Sequence, residues 1–518
     1  MEKDNLTDKQ NPEWALFLPA LSTFYITGLG KQRKGENYFP PERIPQGIPN
    51  LEALNFLNSQ EALFPYKWAL YSAGHAELDP KKQNSSESIV YERENGTFLL
   101  GDSGGFQILK GQWPADWKNP NCPKAMEKRK AVLNWMDTYM DYGMCLDVPS
   151  QSFLNIKAIP LHGIHNIQDA IKATHINNEY FINNRSGKCK FLNVLQGTTH
   201  TESGEWYQEM KKYCDPNIYP ENHFNGWAFG GQTKIDIHLT LIRLVDIIYD
   251  GLLQEGKHDL IHCLGVSILE YAVLFSDIQK AIRKYHNPKL QITFDCASPF
   301  FSAAKGLAYF QTSIEHEGKW SYRMSKTAEN KNYATDHRKF RDTVLDDNIH
   351  NVFTDSPITD KLLIKDICYR GKGFIGQHNK ETKTSWDTLS YTLIQGHNVY
   401  QHIVSVQEAN RKYESGIIPK MIKHDLIGVT FQKVVNEVFA QKSKEDSYKI
   451  IEKYSVLWEQ MQAGSQGFSG KKTVNGRTYY NKIVEEKKST NNVVSEEAKV
   501  KKEKLSAEPI FNQLFSLK

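Results

Sequence analysis

The stretch Phe98-Leu99-Leu100-Gly101-Asp102-Ser103-Gly104-Gly105-Phe106-Gln107 decides how the chain is read. Its three apolar residues are too few for a helix and are closed by Gly-Asp, the pattern of a buried strand whose C-terminal end carries a carboxylate. Small residues after a strand let backbone N–H groups approach a ligand closely, and the carboxylate is available as an acid or base. Alone, a D-S-G-G segment is more often a tight turn capped by its Asp.

Working outward, five more apolar runs repeat the design: Met144-Cys145-Leu146, Phe191 to Leu195, Trp227-Ala228-Phe229, Ile261 to Leu264 and Gln291 to Phe294. Phe17-Leu18-Pro19-Ala20 and Trp68-Ala69-Leu70-Tyr71 supply the first two strands. Helical stripes fall between the runs: Val132, Trp135, Met136, Tyr139 and Met140 at i, i+3, i+4, i+7 and i+8, and Leu241, Leu244, Val245 and Ile248. The polar or glycine positions that end the strands, at Asp102, Asp147, Gln196, Gly230, Gly265 and Asp295, are 45, 49, 34, 35 and 30 residues apart, the rhythm of βα units. Periodicity alone allows a closed barrel or an open doubly wound sheet. Polar residues at the end of nearly every strand favour the barrel, whose sites are assembled from several βα loops. The expected fold is therefore α/β, a (β/α)8 TIM-type barrel with insertions over residues 1–415. A mainly helical extension follows over 416–463. Residues 464–484 carry a hairpin signal at Asn475-Gly476, and 485–518, rich in Lys, Glu, Ser and Asn, read as a largely disordered tail.

Bulk properties exclude several classes. The balance of 64 Lys+Arg against 60 Asp+Glu is too mild to mark a nucleic-acid binder, so any basic surface is local. Seven cysteines, with no C-x-x-C, form neither a disulfide framework nor a thiolate zinc site of usual spacing. The opening MEKDNLTDKQNPEW has no apolar core of a signal peptide and no run approaches membrane-span length, so the expectation is a cytoplasmic chain, in the host cytoplasm if phage-encoded.

A second carboxylate stands in Ile292-Thr293-Phe294-Asp295-Cys296-Ala297-Ser298-Pro299, where by itself an Asp capping the next helix is the commoner reading. The two segments in this order, with the strand-end residues between them, resemble the tRNA-guanine transglycosylase family over about residues 14–410. The resemblance implies that Asp102 is the general acid/base, Asp295 the nucleophile, and Ser103, Gly104, Gly105 and Phe106 the loop that holds the base. Asp147 and Gln196 would read the base edge, Gly230, Gly231, Leu264 and Gly265 would shape the pocket, and Gln232 lies where the family reads the 7-substituent. The implied reaction is base exchange at C1′ through a covalent aspartyl-sugar, without a cofactor.

Two departures refine this expectation. Family members that act on tRNA carry a zinc subdomain with C-x-C-x2-C spacing after the nucleophile, whereas Cys368 is the sole cysteine after Cys296. No structural zinc is expected, although Cys368 with His378, His397 or His402 is a conceivable set. Asp295 is followed by C-A-S-P-F-F-S, not an Arg-containing C-x-x-P-T-R run. Both features look more like the 7-deazaguanine DNA transglycosylases of phage and bacterial DNA-modification systems. The expected partners are DNA and a free 7-deazaguanine base such as 7-cyano-7-deazaguanine (preQ0), with a helper protein possible. A tRNA-acting enzyme, a non-catalytic nucleic-acid-binding subunit and a barrel glycoside hydrolase are the alternatives. Lys471, Lys472, Arg477, Tyr479, Tyr480 and Lys482 alternate cations with rings in the hairpin, a pattern suited to phosphates and unstacked bases and equally to an ordinary solvated hairpin.

Overall fold

A computed structural model describes residues 3–464 except 37, 83, 232–233, 235, 315–318, 329–330, 342–343, 347–348, 351–355, 369–385 and 425–427. Eight strands share one sheet: β1 (Leu16–Pro19), β2 (Trp68–Ser72), β3 (Phe98–Asp102), β4 (Tyr142–Met144), β5 (Lys190–Leu195), β6 (Gly226–Phe229), β7 (Leu260–Cys263) and β8 (Gln291–Cys296). Their order is β1-β8-β7-β6-β5-β4-β3-β2, and a parallel bridge between Ala20 and Leu70 joins the two ends. The pairs from β4 through β8 are parallel, for example Val194 opposite Ala228 and Ala228 opposite His262. Parallel neighbours require a crossover. The helices Pro123–Tyr139, Ile167–Asn184, His200–Met210, Ile237–Tyr249 and Glu270–Tyr285 provide it between β3 and β8. The architecture is an α/β barrel of the TIM type, as the strand-and-carboxylate rhythm predicts.

All eight expected apolar runs lie on or against strands, with one shift. Strand β4 ends at Met144, two residues before the expected end at Leu146, because the Asp147 N–H turns back to the Cys145 carbonyl (2.9 Å). Asp147 thus sits in a tight turn rather than directly on a strand end.

By internal contacts the chain divides into two compact units, one comprising Met1–Leu100, Leu269–Val273 and Asp295–Pro419, the other Gly101–Ile268, Leu274–Phe294 and the chain from Lys420 onward. The first contains an insertion that the apolar pattern does not announce. Strands β9 (Leu307–Ser313), β10 (Ser321–Lys326), β11 (Val344–Asp346) and β12 (Ile349–His350) form a small sheet of order β11-β12-β10-β9. Its long helix Thr388–Glu414 starts at Asp387, whose carboxylate accepts from Ser390 N (2.8 Å) and takes a two-pronged bond from buried Arg43 (2.6 and 2.8 Å).

In the second unit, helices Phe431–Phe439, Lys444–Lys453 and Ser455–Gly464 form the C-terminal helical region. Charge and hydrogen bonds seat it on the barrel helix Ile237–Tyr249. Lys444 pairs with Asp246 (2.6 Å) and Asp250 (3.3 Å), and the Tyr249 hydroxyl donates to the Gln441 carbonyl (2.7 Å). Among the described residues no helix is long and apolar enough to cross a membrane.

Candidate functional site

Each expected site residue that the structure describes lies at or just beyond the C-terminal end of a barrel strand. In the second unit several converge. Asp102 closes β3, half-buried, and is followed by Gly104 with φ 80°, a left-handed conformation that favours glycine and starts the short helix Gly105–Leu109. The turn brings the loop onto the segment after β4. A Cβ on Gly105 would stand 2.6 Å from the Asp147 carbonyl oxygen and 3.1 Å from its Oδ1. Only glycine fits there.

Asp147 is the centre of the cluster. Its Oδ2 accepts from Gln196 Nε2 (2.8 Å), and the Ser103 hydroxyl lies 3.4 Å from Oδ1. Gln196, the first residue beyond β5, lies flat over the glycine pair that follows β6. A Cβ at Gly230 would meet Gln196 Nε2 at 2.7 Å, and one at Gly231 would meet Gln196 Oε1 at 3.1 Å. Ser103, Asp147 and Gln196 are all buried. Burial pushes the Asp147 carboxyl up to about 7, and the charge of Asp102 pushes in the same direction, against the lowering effect of the Gln196 and Ser103 hydrogen bonds. A carboxyl poised near neutrality beside a carboxamide puts acceptor and donor groups side by side, the kind of pair that can meet an amide-like or purine edge.

Supporting residues hold this arrangement from behind, and no motif announces them. Asn177 donates to the Leu146 carbonyl (2.8 Å) and is itself fixed by Arg129 Nε (2.7 Å). The Thr174 hydroxyl accepts from Val148 N (3.0 Å), and Ser150, three residues past Asp147, accepts from Gly197 N (3.2 Å). Lys234 is a further residue the sequence reading passed over. A Cβ built on Gly265 would lie 3.3 Å from its ammonium nitrogen, which puts a cation against the loop after β7, where Leu264 and Gly265 are half-buried. Its nearness to Gln232 in Gly230-Gly231-Gln232-Thr233-Lys234 was the available signal. Phe106 is partly exposed with the Lys110 ammonium 5.2 Å from its ring centre.

Asp295, in the first unit, is the penultimate residue of β8 and is 7% exposed. The next residue anchors that strand end. The Cys296 carbonyl accepts from Ala20 N (3.4 Å), and its thiol lies 3.6 Å from His402 Nε2, to which the Tyr322 hydroxyl also comes within 3.1 Å. His402 stacks on Phe17 and Tyr322, each at 4.3 Å. Burial pushes the Cys296 thiol up to about 12 and the His402 imidazolium down to about 3, so neither is charged at neutral pH and Cys296 is no thiolate nucleophile. Asp295 is the carboxylate side chain at this strand end.

The residues considered for zinc are engaged elsewhere: Cys368 Sγ with the Ala328 carbonyl (3.4 Å) and His397 Nε2 with the Tyr309 carbonyl (2.6 Å). Among the described residues no group of three His, Cys, Asp or Glu side chains could hold a metal ion. Gln232, His378 and the basic and aromatic set Lys471, Lys472, Arg477, Tyr479, Tyr480 and Lys482 lie outside the described residues. In comparisons with known proteins, no family model and no curated protein matches the chain.

Proposed function

We propose that the chain is a base-exchanging pentosyltransferase that removes guanine from DNA and inserts a 7-deazaguanine, preQ0 or a close derivative, through a covalent aspartyl-sugar. The observation that carries the reading is the buried Ser103–Asp147–Gln196 array against the glycines at 105, 230 and 231. Burial raises the Asp147 carboxyl to about 7 although Gln196 and Ser103 hydrogen-bond it, and a ligand edge rich in N–H donors would favour its charged form. Guanine and 7-deazaguanine have such an edge in N1–H and the exocyclic amine.

In this reading Asp295 attacks C1′, the bond from C1′ to N9 breaks, and the sugar is held as an ester while the phosphodiester backbone stays intact. Asp102 gives a proton to the departing guanine. It then takes one from the entering base, whose N9 displaces Asp295. C1′ is shielded within stacked duplex, so the target nucleotide must be unpaired or flipped out. The scarcity of cysteines after Asp295 and the C-A-S-P-F-F-S run favour DNA over tRNA.

The test is incorporation of labelled preQ0 by the purified full chain into guanine-containing DNA and, in parallel, into unmodified tRNA. Label in DNA alone supports the proposal, label in tRNA alone reassigns the polymer, and label in neither overturns base exchange.

A further inference from the structure

Three of the large apolar side chains that stand exposed among the described residues fall within eight positions of one another: Leu154 (37%), Ile156 (61%) and Leu161 (46%). They occupy the loop that follows Asp147, and that loop does not hang free. Asn155 between them donates to the Leu109 carbonyl (2.8 Å), Ala115 N donates to the Leu161 carbonyl (3.0 Å), and Trp117 N donates to the His162 carbonyl (3.0 Å). These bonds knit the loops after β3 and β4 into one platform beside the Asp102–Ser103–Asp147 cluster. Exposed aliphatic groups on a braced platform cost solvation; Leu161 rests in part on Gly111, while Ile156 is the most exposed of the three.

The charge around them is one-sided. Leaving out the buried Arg129, residues 109–130 and 149–166 contain Lys110, Lys118, Lys124, Lys128, Lys130 and Lys157 against only Asp116 and Glu127, an excess of four positive charges, as many as the whole chain carries. Lys128 is drawn onto this platform, its ammonium 4.6 Å from the centre of the Trp113 ring. Cations that neutralise phosphates, flanking rigid aliphatic side chains that stand up from the surface, form the combination by which proteins unstack base pairs.

We propose that this platform is an opening wedge for a nucleic-acid duplex, with Ile156 and Leu161 entering the base stack next to the target nucleotide and the surrounding lysines holding its phosphates. The inference rests on the base-exchange reading, since it names how the same site gains access to a paired base. Opening a base pair costs free energy that two buried aliphatic side chains return only against duplex, because a single strand has no pair to open.

The double variant I156S/L161S, with the full chain, separates the two ideas. Fluorescence anisotropy gives the Kd for a guanine-containing oligonucleotide as single strand and as duplex, 2-aminopurine placed beside the target guanine reports unstacking, and labelled preQ0 reports exchange. We expect wild type to raise 2-aminopurine fluorescence in duplex. The variant should lose that rise and lose about tenfold or more in exchange on duplex, with single-strand exchange within twofold of wild type. A variant that matches wild type on duplex, or that loses both substrates equally, overturns the wedge and leaves base exchange standing. A wild-type chain that exchanges base in neither substrate overturns the base-exchange reading and the wedge with it.

Discussion

Replacing Asp147 with Asn tests the buried carboxyl first through stability alone and then through ligand binding. The carboxyl is moved by burial from an ordinary 3.8 to about 7. The folded protein therefore holds a proton on it more tightly than the unfolded chain does across that interval. Stability due to the protonated group is fully present below about pH 4 and is lost as pH rises through 7. A shift of about 3 units at roughly 1.4 kcal/mol each amounts to about 4 kcal/mol, the full cost of ionising Asp147 in the fold. An Asn has the same shape, its Oδ1 can accept from Gln196 Nε2, and its amide can donate to the Ser103 hydroxyl, so the geometry survives while the ionisation cost vanishes. Urea unfolding followed by tryptophan fluorescence should show Asp147→Asn gaining on wild type from pH 4 to pH 8, with most of the ~4 kcal/mol present by pH 8. The difference between the two proteins removes every other titrating group from the comparison. At the same time binding of a free 7-deazaguanine base should strengthen in wild type as pH rises through 7, because the charged carboxylate is the better acceptor for N–H, and should be weak and flat with pH in the variant. A stability difference that does not change between pH 4 and 8 would refute the assignment of a desolvated carboxyl.

Five further outcomes follow from particular residues. Gly230→Ala places a Cβ 2.7 Å from Gln196 Nε2, so the carboxamide must leave Asp147; base affinity should fall at least tenfold in calorimetry, whereas Gly204→Ala, whose nearest neighbour is Arg243 at 3.8 Å, should leave affinity unchanged. Asp295→Asn should abolish the covalent protein–polynucleotide adduct seen by denaturing electrophoresis, and full exchange by that variant would remove Asp295 as nucleophile; Asp102→Asn should bind base normally and lose about 10²-fold or more in turnover. His258 and His397 are pushed down to about 4 and His402 to about 3 by burial, so the stability they confer as neutral rings is present above about pH 6.5 and lost as pH falls toward those values; circular dichroism should show acid unfolding that His402→Gln moves to lower pH. Arg43→Met leaves the buried Asp387 carboxylate unpaired and should destabilise the chain by about 3–5 kcal/mol in urea unfolding.

The barrel was legible because its cause is local: a strand buried on both faces has to be a short apolar run, and the runs at 98–100, 191–195, 227–229 and 291–294 each end in the polar or glycine residue that the structure sets at a strand end. What escaped the reading depends on partners distant in the chain. Strands β9 and β10, with the sequences LAYFQTS and SYRMSK, become a pair through cross-strand bonds rather than through any apolar period of their own. The site divides in the same way. Asp102, Gly104 and Gly105 were legible because a turn fixes their residue types. Thr174, Asn177 and Ser150 were not, since each acquires its role only when a helix or loop from elsewhere is laid against the strand ends.

The relation between the two aspartates read from motifs and the one that organises the pocket follows from this. Asp102 and Asp295 stand out because short sequence patterns surround them, while Asp147 sits in C-L-D-V-P-S, a segment with no pattern of its own. Yet Asp147 is displaced toward neutrality by its surroundings, chiefly by burial with the charge of Asp102 acting the same way, and the residues that act on it come from the loops after β3, β4 and β5. If the proposed function holds, a site that reads a base edge is built this way for a physical reason. The edge is planar and several ångströms long, so its donors have to be met from more than one strand end at once, and the carboxylate that meets them has to be dry for the hydrogen bonds to discriminate one base from another. Discrimination then carries its cost in the unliganded fold as ionisation strain on Asp147, and the comparison of Asp147→Asn with wild type across pH measures that cost directly.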